Sequence, residues 1–268
     1  MIMLVSIVMP TFNRSELVYD SIQSVICQSY SNWELIIVDD GSSTEEVNKI
    51  KKLSFKKENI FFYKRPDKLV KGANSCRNYG LSKSKGELIK WMDSDDLLTE
   101  DALQKQVSIF MVKKDVKICL GYGAFYYPDD NNKLEYWSRN NTSNNIFSDH
   151  LVNKIRWPIG GILWNKSHFE TDPFLPKLSN SQEWLMHSLQ LTKTKFDEIY
   201  NLKDIVYLIR RGHNRISSEK SSKYYYNQFK ARYVLFIEAK NLSYNDSFQL
   251  LKQLIIYLFY TILFFIKK

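Results

Sequence analysis

The feature that most constrains the fold is a repeated alternation of short apolar runs with segments of helical periodicity over the first hundred residues. Each apolar run has the length of a buried strand, and the segments between them carry apolar residues three or four positions apart. Strands that alternate with helices pair in parallel through right-handed crossovers. We therefore predict an α/β fold with a doubly wound, mostly parallel sheet flanked by helices. The predicted strands are residues 6–9, 33–38, 60–63 and 87–92, and the predicted helices are 15–28, 44–53 and 72–82.

Polar residues follow three of these strands at the point where each strand ends. They form the clusters 11–14, 39–42 and 93–96. In doubly wound sheets, ligands bind in the crevice at the carboxyl ends of the strands. We therefore expect the three clusters to meet at one edge of the sheet, although they are distant from one another in the sequence.

The third cluster is acidic, with Asp93 and Asp95 followed by Asp96. Carboxylates at alternate positions can both face a crevice where the chain turns, and hard oxygen ligands suit Mg²⁺ or Mn²⁺. A solvated acidic turn is the alternative, because such turns are common. The hydrophobic strand before the cluster and the second acidic turn, at Asp39 and Asp40, favour the metal site.

Residues 99–215 are less regular. We predict helices at 99–113 and 181–191, strands at 118–127 and 205–210, and a loop in the Asn-rich stretch 129–145.

The character of the chain changes after residue 215. The net charge is +9, and residues 203–268 contain 12 Lys and Arg against 4 Asp and Glu, so most of the positive excess lies there. We predict a helix at 220–240 and a last helix that begins near residue 243.

Residues 254–266 carry no charge, and thirteen helical residues reach only roughly 20 Å, short of a hydrocarbon core of roughly 30 Å. We expect this tail to lie in an anionic membrane surface, or to dip into it, rather than to span the membrane. Packing on the domain or on a partner chain is the alternative.

Composition excludes several classes of protein. With 44% hydrophobic and 25% charged residues, the chain has the composition of a folded protein. Cys27, Cys76 and Cys119 form no C-x-x-C pair, which argues against a disulfide framework and a zinc site.

The N-terminal apolar stretch ends at Pro10 without a basic start, so we predict no cleavable signal peptide and expect a cytoplasmic location. No nucleic-acid partner is expected, because the apolar tail lacks interleaved aromatic and cationic residues.

Four motifs in the first hundred residues resemble those of a known family. They are SIVMPTFNR at 6–14, ELIIVDDGS at 34–42, RNYG at 77–80 and WMDSDD at 91–96. In this order and spacing they resemble family 2 glycosyltransferases, and segments 181–184 and 210–217 resemble later family motifs more loosely. The resemblance implies a GT-A fold and an inverting, metal-dependent transfer of sugar from a nucleotide-diphosphate sugar, commonly a UDP-sugar.

The resemblance also implies roles for single residues. Asp95 is the expected ligand of Mn²⁺ or Mg²⁺, and His213 on a basic loop is a second candidate. Glu183 matches the catalytic base of the family, although relatives more often have Asp there and a second acidic residue where this chain has Trp184. The residues expected to contact the nucleotide sugar are Pro10, Thr11, Asn13, Arg14, Asp39, Asp40, Lys71, Arg77, Asp93 and Ser94.

Gly160 and Gly161 fall where relatives form the acceptor side, so the resemblance implies acceptor binding at Trp157, Gly160, Gly161 and Trp184. Aromatic faces such as those of the tryptophans can stack on sugars. Core packing is the alternative for the tryptophans. We expect a glycosyltransferase domain at 1–215, with a nucleotide-sugar half at 1–98 and an acceptor half at 99–215, followed by a basic helical region at 216–268. A saccharide or lipid-linked saccharide acceptor in surface polysaccharide synthesis, and a peripheral position on the inner face of the cell membrane, fit this organisation.

Three other functions remain open at this point. A nucleotidyltransferase shares the architecture, but the segment 10–14 after the first strand lacks the glycines of its usual phosphate loop. A hydride-transferring dehydrogenase fits the sequence less well, because the dinucleotide-binding motif G-x-G-x-x-G is absent after the first strand. A non-catalytic scaffold that binds membrane or nucleic acid through its basic tail is the third, and the intact acidic clusters argue against it.

Overall fold

A computed structural model of the chain describes residues 2–54, 57–212, 220–240 and 242–266. The strands are β1 (Val5–Thr11), β2 (Trp33–Asp39), β3 (Ile60–Lys64), β4 (Leu88–Trp91), β5 (Leu97–Leu98), β6 (Ile118–Tyr127), β7 (Lys133–Tyr136), β8 (Ile162–Asn165) and β9 (Ile199–Arg210). The helices are α1 (Ser15–Ile26), α2 (Thr44–Ser54), α3 (Ala73–Lys83), α4 (Ala102–Val112), α5 (Ile146–Leu151), α6 (Gln182–Leu191), α7 (Ser222–Glu238) and α8 (Tyr244–Ile266).

The first half of the sheet is parallel, as the alternation of elements predicts. β1 lies between β2 and β4 and pairs in parallel with both, and β3 extends the sheet beyond β2. Every residue of β1, β2 and β4 is buried, because helices cover both faces of these strands. Successive side chains enter different cores: Ile7 belongs to one hydrophobic cluster and Val8 to the other. Gly80 of α3 lies so close to the sheet that an added Cβ would be 2.3 Å from Val8.

The second half of the sheet is mixed. The strand order is β3-β2-β1-β4-β8-β6-β9-β5, with β7 paired to β6. β8 is antiparallel to both of its neighbours, whereas β6 and β9 are parallel. The predicted α/β class, with a largely parallel sheet flanked by helices and a C-terminal helical part, is confirmed.

Several elements differ from the sequence prediction. β7 lies inside the stretch 129–145 that we predicted as loop, and β9 begins at Ile199 rather than at residue 205. The short elements β5, β8 and α5 were not predicted. These strands form hydrogen bonds with partners far away in the sequence, for example β8 with β4, so local periodicity carries little information about them.

Helices α7 and α8 share a third hydrophobic cluster with α5 and α6. Leu235 of α7 and Leu250 of α8 are fully buried in it. The guanidinium of Arg232 lies between the rings of Trp184 and Tyr257, at 3.7 and 4.7 Å from their centroids. Burial lowers the pKa of Arg232 to about 10. The division of the chain at residue 215 stays a prediction, because that residue lies outside the described part.

The last helix is longer than the apolar tail predicted from sequence. α8 has 23 residues, and at 1.5 Å per residue it is about 34 Å long. By length and composition it qualifies as a membrane-spanning helix. The length argument against spanning was therefore wrong, because the more polar residues 244–253 belong to the same helix as the uncharged run.

Two histidines are buried in the core between α5 and α6. His150 stacks on Trp157 with 5.4 Å between ring centroids, and His187 lies 5.9 Å from His150. Burial lowers the pKa of His150 to about 4, and burial also lowers the pKa of His187 well below its usual value. Both rings are therefore neutral in the folded protein at neutral pH.

We predict that the protein loses stability as the pH falls from about 6.5 toward 4. In this range the unfolded chain binds protons at both histidines while the folded protein does not, so the free energy of unfolding decreases by up to about 1.4 kcal/mol per pH unit for each. Urea denaturation at a series of pH values measures the slope. His150→Gln should flatten it relative to wild type, and an identical slope in both proteins would contradict the assignment.

Candidate functional site

A cavity of about 730 Å³ lies at the carboxyl ends of β1, β2 and β4. Parallel pairing places the last residue of β1, Thr11, opposite the last residue of β2, Asp39. The polar clusters after the strands therefore meet at one edge of the sheet. The residues predicted from sequence that line the cavity are Pro10, Thr11, Arg14, Asp40, Lys71, Arg77, Asp93, Ser94, Asp95 and Glu183.

Asp39 and Asn13, which we predict to contact the nucleotide sugar, form hydrogen bonds that hold the two loops in shape. The carboxylate of Asp39 accepts hydrogen bonds from the backbone N–H groups of Gly41 and Ser42, both at 3.0 Å. Gly41 has a φ of 94°, which favours glycine. The Asn13 side chain accepts a hydrogen bond from the Ser43 N–H at 2.9 Å. Neither residue is among those that line the cavity.

Asp40 is buried at the cavity wall and paired. Its Oδ1 accepts hydrogen bonds from Nε of Arg65 at 2.5 Å and from the Gly72 N–H at 3.0 Å. Arg65 follows directly after β3, and its own N–H donates to the Asp39 carbonyl at 2.8 Å. Arg65 is not among the residues predicted from sequence, although its place directly after a strand is the same signal that identifies the other clusters.

The acidic turn after β4 brings three carboxylates together. Oxygens of Asp93, Asp95 and Asp96 all lie within 4.8 Å of one another. Arg77 pairs with Asp93 at 2.6 Å, and Arg14 pairs with Asp95 at 3.1 Å. The hard oxygen donors of this set fit Mn²⁺ or Mg²⁺.

Residues of β9 form hydrogen bonds that hold the acidic turn in place. The backbone N–H of Arg210 donates to Asp96 Oδ1 at 3.0 Å, and its guanidinium binds the Asp95 carbonyl at 3.1 Å and Asp20 at 2.7 Å. The Tyr207 hydroxyl accepts a hydrogen bond from the Asp93 N–H at 3.1 Å. Burial, together with the nearby charges of Asp96 and Asp93, raises the pKa of Tyr207, so the phenol stays neutral.

Glu183 lies in the first turn of α6, where it faces the cavity. Ser181, which precedes the helix, has a φ of 57°, and this left-handed residue sets the direction in which α6 begins. The cavity therefore contains a carboxylate from the second half of the chain in addition to those that follow β2 and β4.

The four residues predicted for the acceptor side are packed in the protein interior. Trp157 is buried, stacks on His150 and donates from Nε1 to the Asn141 carbonyl at 2.8 Å. Trp184 is buried against Arg232. An added Cβ at Gly160 would be 2.0 Å from the Tyr207 ring, and one at Gly161 would be 2.9 Å from the Gly121 carbonyl. Both glycines thus allow close packing, and none of the four lines the cavity.

His213, the second candidate metal ligand, lies outside the described residues. Some residues that do line the cavity were not anticipated. Lys223, Tyr226 and Asn227 of α7 lie on its wall, and Asn227 Nδ2 donates to Ser179 Oγ at 3.0 Å. We interpreted α7 as a separate basic appendage, so the sequence offered no reason to place it at the site.

Comparison with known proteins finds relatives of the first part of the chain. The sequence profile described as "Glycosyl transferase family 2" matches residues 6–168. The glucosyltransferase WfgD of Escherichia coli, named UDP-Glc:alpha-D-GlcNAc-diphosphoundecaprenol beta-1,3-glucosyltransferase, is 36% identical over 118 residues, 44% of this chain and 45% of WfgD. WcaA of Escherichia coli K12, a putative colanic acid biosynthesis glycosyl transferase, is 35% identical over 127 residues, 47% of this chain and 42% of WcaA. The chain matches less than half the length of these relatives.

Solved structures share the fold at low sequence identity. Residues 1–349 of TarS from S. aureus superimpose with a TM-score of 0.67 at 16% identity, covering 96% of this chain and 72% of that one. A mannosyltransferase from Pyrobaculum calidifontis, solved with GDP-Man and Mn²⁺, gives a TM-score of 0.65 at 12% identity, covering 96% and 69%. The GT-A fold expected from the motifs is confirmed. Because the family profile matches more than half of the chain, including many of the residues that line the cavity, the chain belongs to glycosyl transferase family 2.

Proposed function

We propose that this glycosyltransferase moves a sugar from a nucleotide-diphosphate sugar, in particular a UDP-sugar, to a saccharide or lipid-linked saccharide acceptor with inversion, in the synthesis of surface polysaccharide. One observation carries the proposal: Asp40, the acidic turn and Glu183 line the same cavity. Family membership decides against the nucleotidyltransferase and the dehydrogenase that the sequence left open. The acidic clusters that line the cavity argue against a non-catalytic scaffold.

The nucleotide sugar enters, in this proposal, between the loops that follow β1, β2 and β4. Carboxylates accept hydrogen bonds from the donor groups of a base and a ribose, and Asp40 is the buried candidate on this wall. Arg14 and Arg77 line the same cavity and suit the oxygens of a diphosphate. The printed names of the relatives support this donor class, since WfgD is named for UDP-Glc and TarS has been solved with UDP and with UDP-GlcNAc.

Asp95, supported by Asp93, is the proposed ligand of Mn²⁺ or Mg²⁺. Oxygens of these carboxylates lie within 4.8 Å of each other, and the Asp95 side chain faces the cavity. A bound divalent ion would stabilise the negative charge of the leaving diphosphate. Arg14, which pairs with Asp95 in the described structure, would then be able to turn toward the phosphate oxygens.

Glu183 is the proposed base. It accepts the proton of an acceptor hydroxyl while the hydroxyl oxygen forms a bond to the anomeric carbon of the donor sugar. The bond between that carbon and the phosphate oxygen breaks, and its electron pair leaves with the nucleoside diphosphate. Attack from the face opposite to the leaving group inverts the configuration.

We predict that Glu183→Gln leaves donor binding intact but lowers the transfer rate by about 10²–10⁴-fold, because the amide cannot accept the proton. A panel of UDP-, GDP- and TDP-sugars with Mn²⁺ first identifies the donor through its increase of the melting temperature. Turnover of that donor is then compared between wild type and variant.

Glu16→Gln is a matched control, since Glu16 also lies in the first turn of a helix, α1. The control should retain wild-type turnover. A near-normal rate in the Glu183 variant would contradict the assignment of the base, and a wild-type protein stabilised by no nucleotide sugar would contradict the proposed function itself.

The location follows from the surface of α8. Apolar residues at spacings of four and three form an exposed stripe along the whole helix, and we call them the α8 stripe: Tyr244, Phe248, Leu251, Ile255, Phe259, Ile262 and Ile266. The opposite face packs on the protein, with Leu250 and Leu254 buried. A helix held along one face and apolar along the other suits a position in the plane of a membrane surface. We therefore propose a cytoplasmic enzyme that is peripheral on the inner face of the cell membrane.

Replacing four residues of the α8 stripe, Ile255, Phe259, Ile262 and Ile266, by Gln is expected to abolish binding to vesicles that contain anionic phospholipid. Each buried apolar side chain contributes about 1.5–3 kcal/mol, so the vesicle affinity should fall by more than roughly a hundredfold. Co-sedimentation measures the bound fraction.

The matched control carries Gln at four exposed apolar positions elsewhere: Ile2, Val112, Leu134 and Phe196. It should sediment with vesicles as the wild type does. Equal sedimentation of the two variants would show that the α8 stripe does not hold the protein on the membrane.

A further inference from the structure

One wall of the cavity is formed by residues beyond the part of the chain that the family profile matches. The profile ends at residue 168. The later residues that line the cavity come from the segment 176–183, from β9 and from the first turns of α7. The segment 176–183 leads into α6 and ends with Glu183, the proposed base. This wall therefore includes the base, whereas the groups proposed for the nucleotide follow β1, β2 and β4.

Asn227 of α7 joins the two parts of this wall and keeps one polar atom for a ligand. The residue is only 4% exposed and yet lines the cavity. Its Nδ2 donates to Ser179 Oγ at 3.0 Å and to the Lys223 carbonyl at 2.8 Å. Because a carbonyl only accepts, the bond to Lys223 fixes which end of the amide is nitrogen. Its Oδ1 is thus a hydrogen-bond acceptor, and no donor within the described ranges of the chain pairs with it.

Ser179 and Tyr226 complete a set of groups that suits a sugar. Ser179 is exposed at the cavity, and because its Oγ accepts the bond from Asn227, its hydroxyl proton remains available for donation. An acceptor beside a donor matches two neighbouring hydroxyls of a sugar ring, since each hydroxyl can donate or accept. Tyr226 also lines the cavity and is 51% exposed, so its ring lies at the rim, where an aromatic face can stack on a sugar.

Other contacts fix this set of groups relative to the base. Arg232 of α7 donates from Nη1 to Ser181 Oγ at 3.3 Å, and its guanidinium lies over the ring of Trp184 in α6. From the first half of the chain, Asn74 Nδ2 donates to the Leu178 carbonyl at 2.9 Å. The segment before α6 is therefore held from both sides, as the precise orientation of two reactants requires.

We propose that Asn227 and Ser179 bind the sugar of the acceptor: Asn227 Oδ1 accepts a hydrogen bond from one hydroxyl, and Ser179 Oγ donates one to its neighbour. The ring of Tyr226 lies against the same sugar. This inference rests on the proposed function and assigns the acceptor to the wall that includes the base. A base takes a proton only from a hydroxyl within hydrogen-bond reach, so the acceptor sugar has to lie beside Glu183. Ser179 lies four residues before Glu183 in the same segment.

Binding of simple methyl glycosides tests the proposal without knowledge of the natural acceptor. The probes are the methyl glycosides of glucose, galactose, mannose and N-acetylglucosamine. They are titrated by saturation-transfer NMR, with and without the nucleoside diphosphate of the identified donor and Mg²⁺. Asn227→Ala should raise the Kd of the best glycoside roughly tenfold, because a hydrogen bond to a buried acceptor is lost.

Monodeoxy forms of that glycoside separate a direct contact from a structural effect. In the wild type, removal of the hydroxyl that pairs with Asn227 should weaken binding by the same factor as Asn227→Ala does. In the variant, removal of that hydroxyl should have no further effect, because both changes delete the same hydrogen bond. A structural role of Asn227 would give losses that add at every hydroxyl.

Asn141→Ala is the matched control. Asn141 is also a buried asparagine whose Nδ2 donates to a backbone carbonyl, that of Gly121, but it is not among the residues that line the cavity. It should bind the glycosides as the wild type does. The increase of the melting temperature by the nucleotide sugar with Mn²⁺ is measured on the wild type and both variants, and it should be equal in all three.

Four results would overturn the proposal: a wild type that binds none of the glycosides, equal effects of the two asparagine variants, losses that add at every hydroxyl, or a loss of nucleotide-sugar stabilisation in Asn227→Ala. The last result would assign this wall to the donor. If the wild type binds a glycoside through Asn227 but is stabilised by no nucleotide sugar, the proposed function fails while the sugar subsite stands, so the two failures are distinguishable.

Discussion

The site depends on the parallel register of β1 with β2 and β4. Because Thr11 pairs with Asp39 and Val8 with Trp91, the polar residues that follow all three strands emerge at one edge. This edge collects several carboxylates, whose mutual repulsion would be costly without cations nearby. Arginines from other elements supply them: Arg65 for Asp40, Arg77 for Asp93 and Arg14 for Asp95. Of these arginines, Arg14 and Arg77 also line the cavity, where they suit the diphosphate of the proposed donor.

The first half of the fold was predictable because the sequence patterns that specify its strands and helices are local. The buried parallel strands are mostly apolar, α1 and α2 carry apolar residues at helical spacing, and polar clusters follow the strand ends directly. The second half was less predictable, since β5 and β8 are short strands whose partners are distant in sequence. β7 pairs with the neighbouring β6, but it lies in an Asn-rich stretch whose composition predicts a loop. Of the ten predicted site residues that line the cavity, seven belong to the segments that follow strand ends, whereas Lys71, Arg77 and Glu183 were identified only through the family motifs. Trp157 and Trp184 do not line the cavity, because a tryptophan beside a predicted site gives no sign of whether its ring faces solvent or core.

The C-terminal helices contribute to the site and are not a separate appendage, because residues of α7 line the cavity. Arg232, held between Trp184 and Tyr257, ties α7 and α8 to the helix that carries Glu183. A displacement of α7 would therefore shift the first turn of α6 as well as the residues at the rim of the cavity. Sequence patterns identified the basic and apolar character of these helices, but not their contact with the cavity, since that contact depends on packing against α5 and α6.

The central claim is that the strand ends form one site for a divalent ion and a nucleotide sugar. It is tested most directly by a crystal structure of the protein soaked with Mn²⁺ and the nucleotide sugar that most raises its melting temperature. We predict anomalous density for Mn²⁺ within coordination distance of the Asp95 carboxylate and of the diphosphate, with the nucleoside against Asp40. Mn²⁺ bound away from Asp95, or a nucleoside outside the cavity between the loops after β1, β2 and β4, would contradict the account.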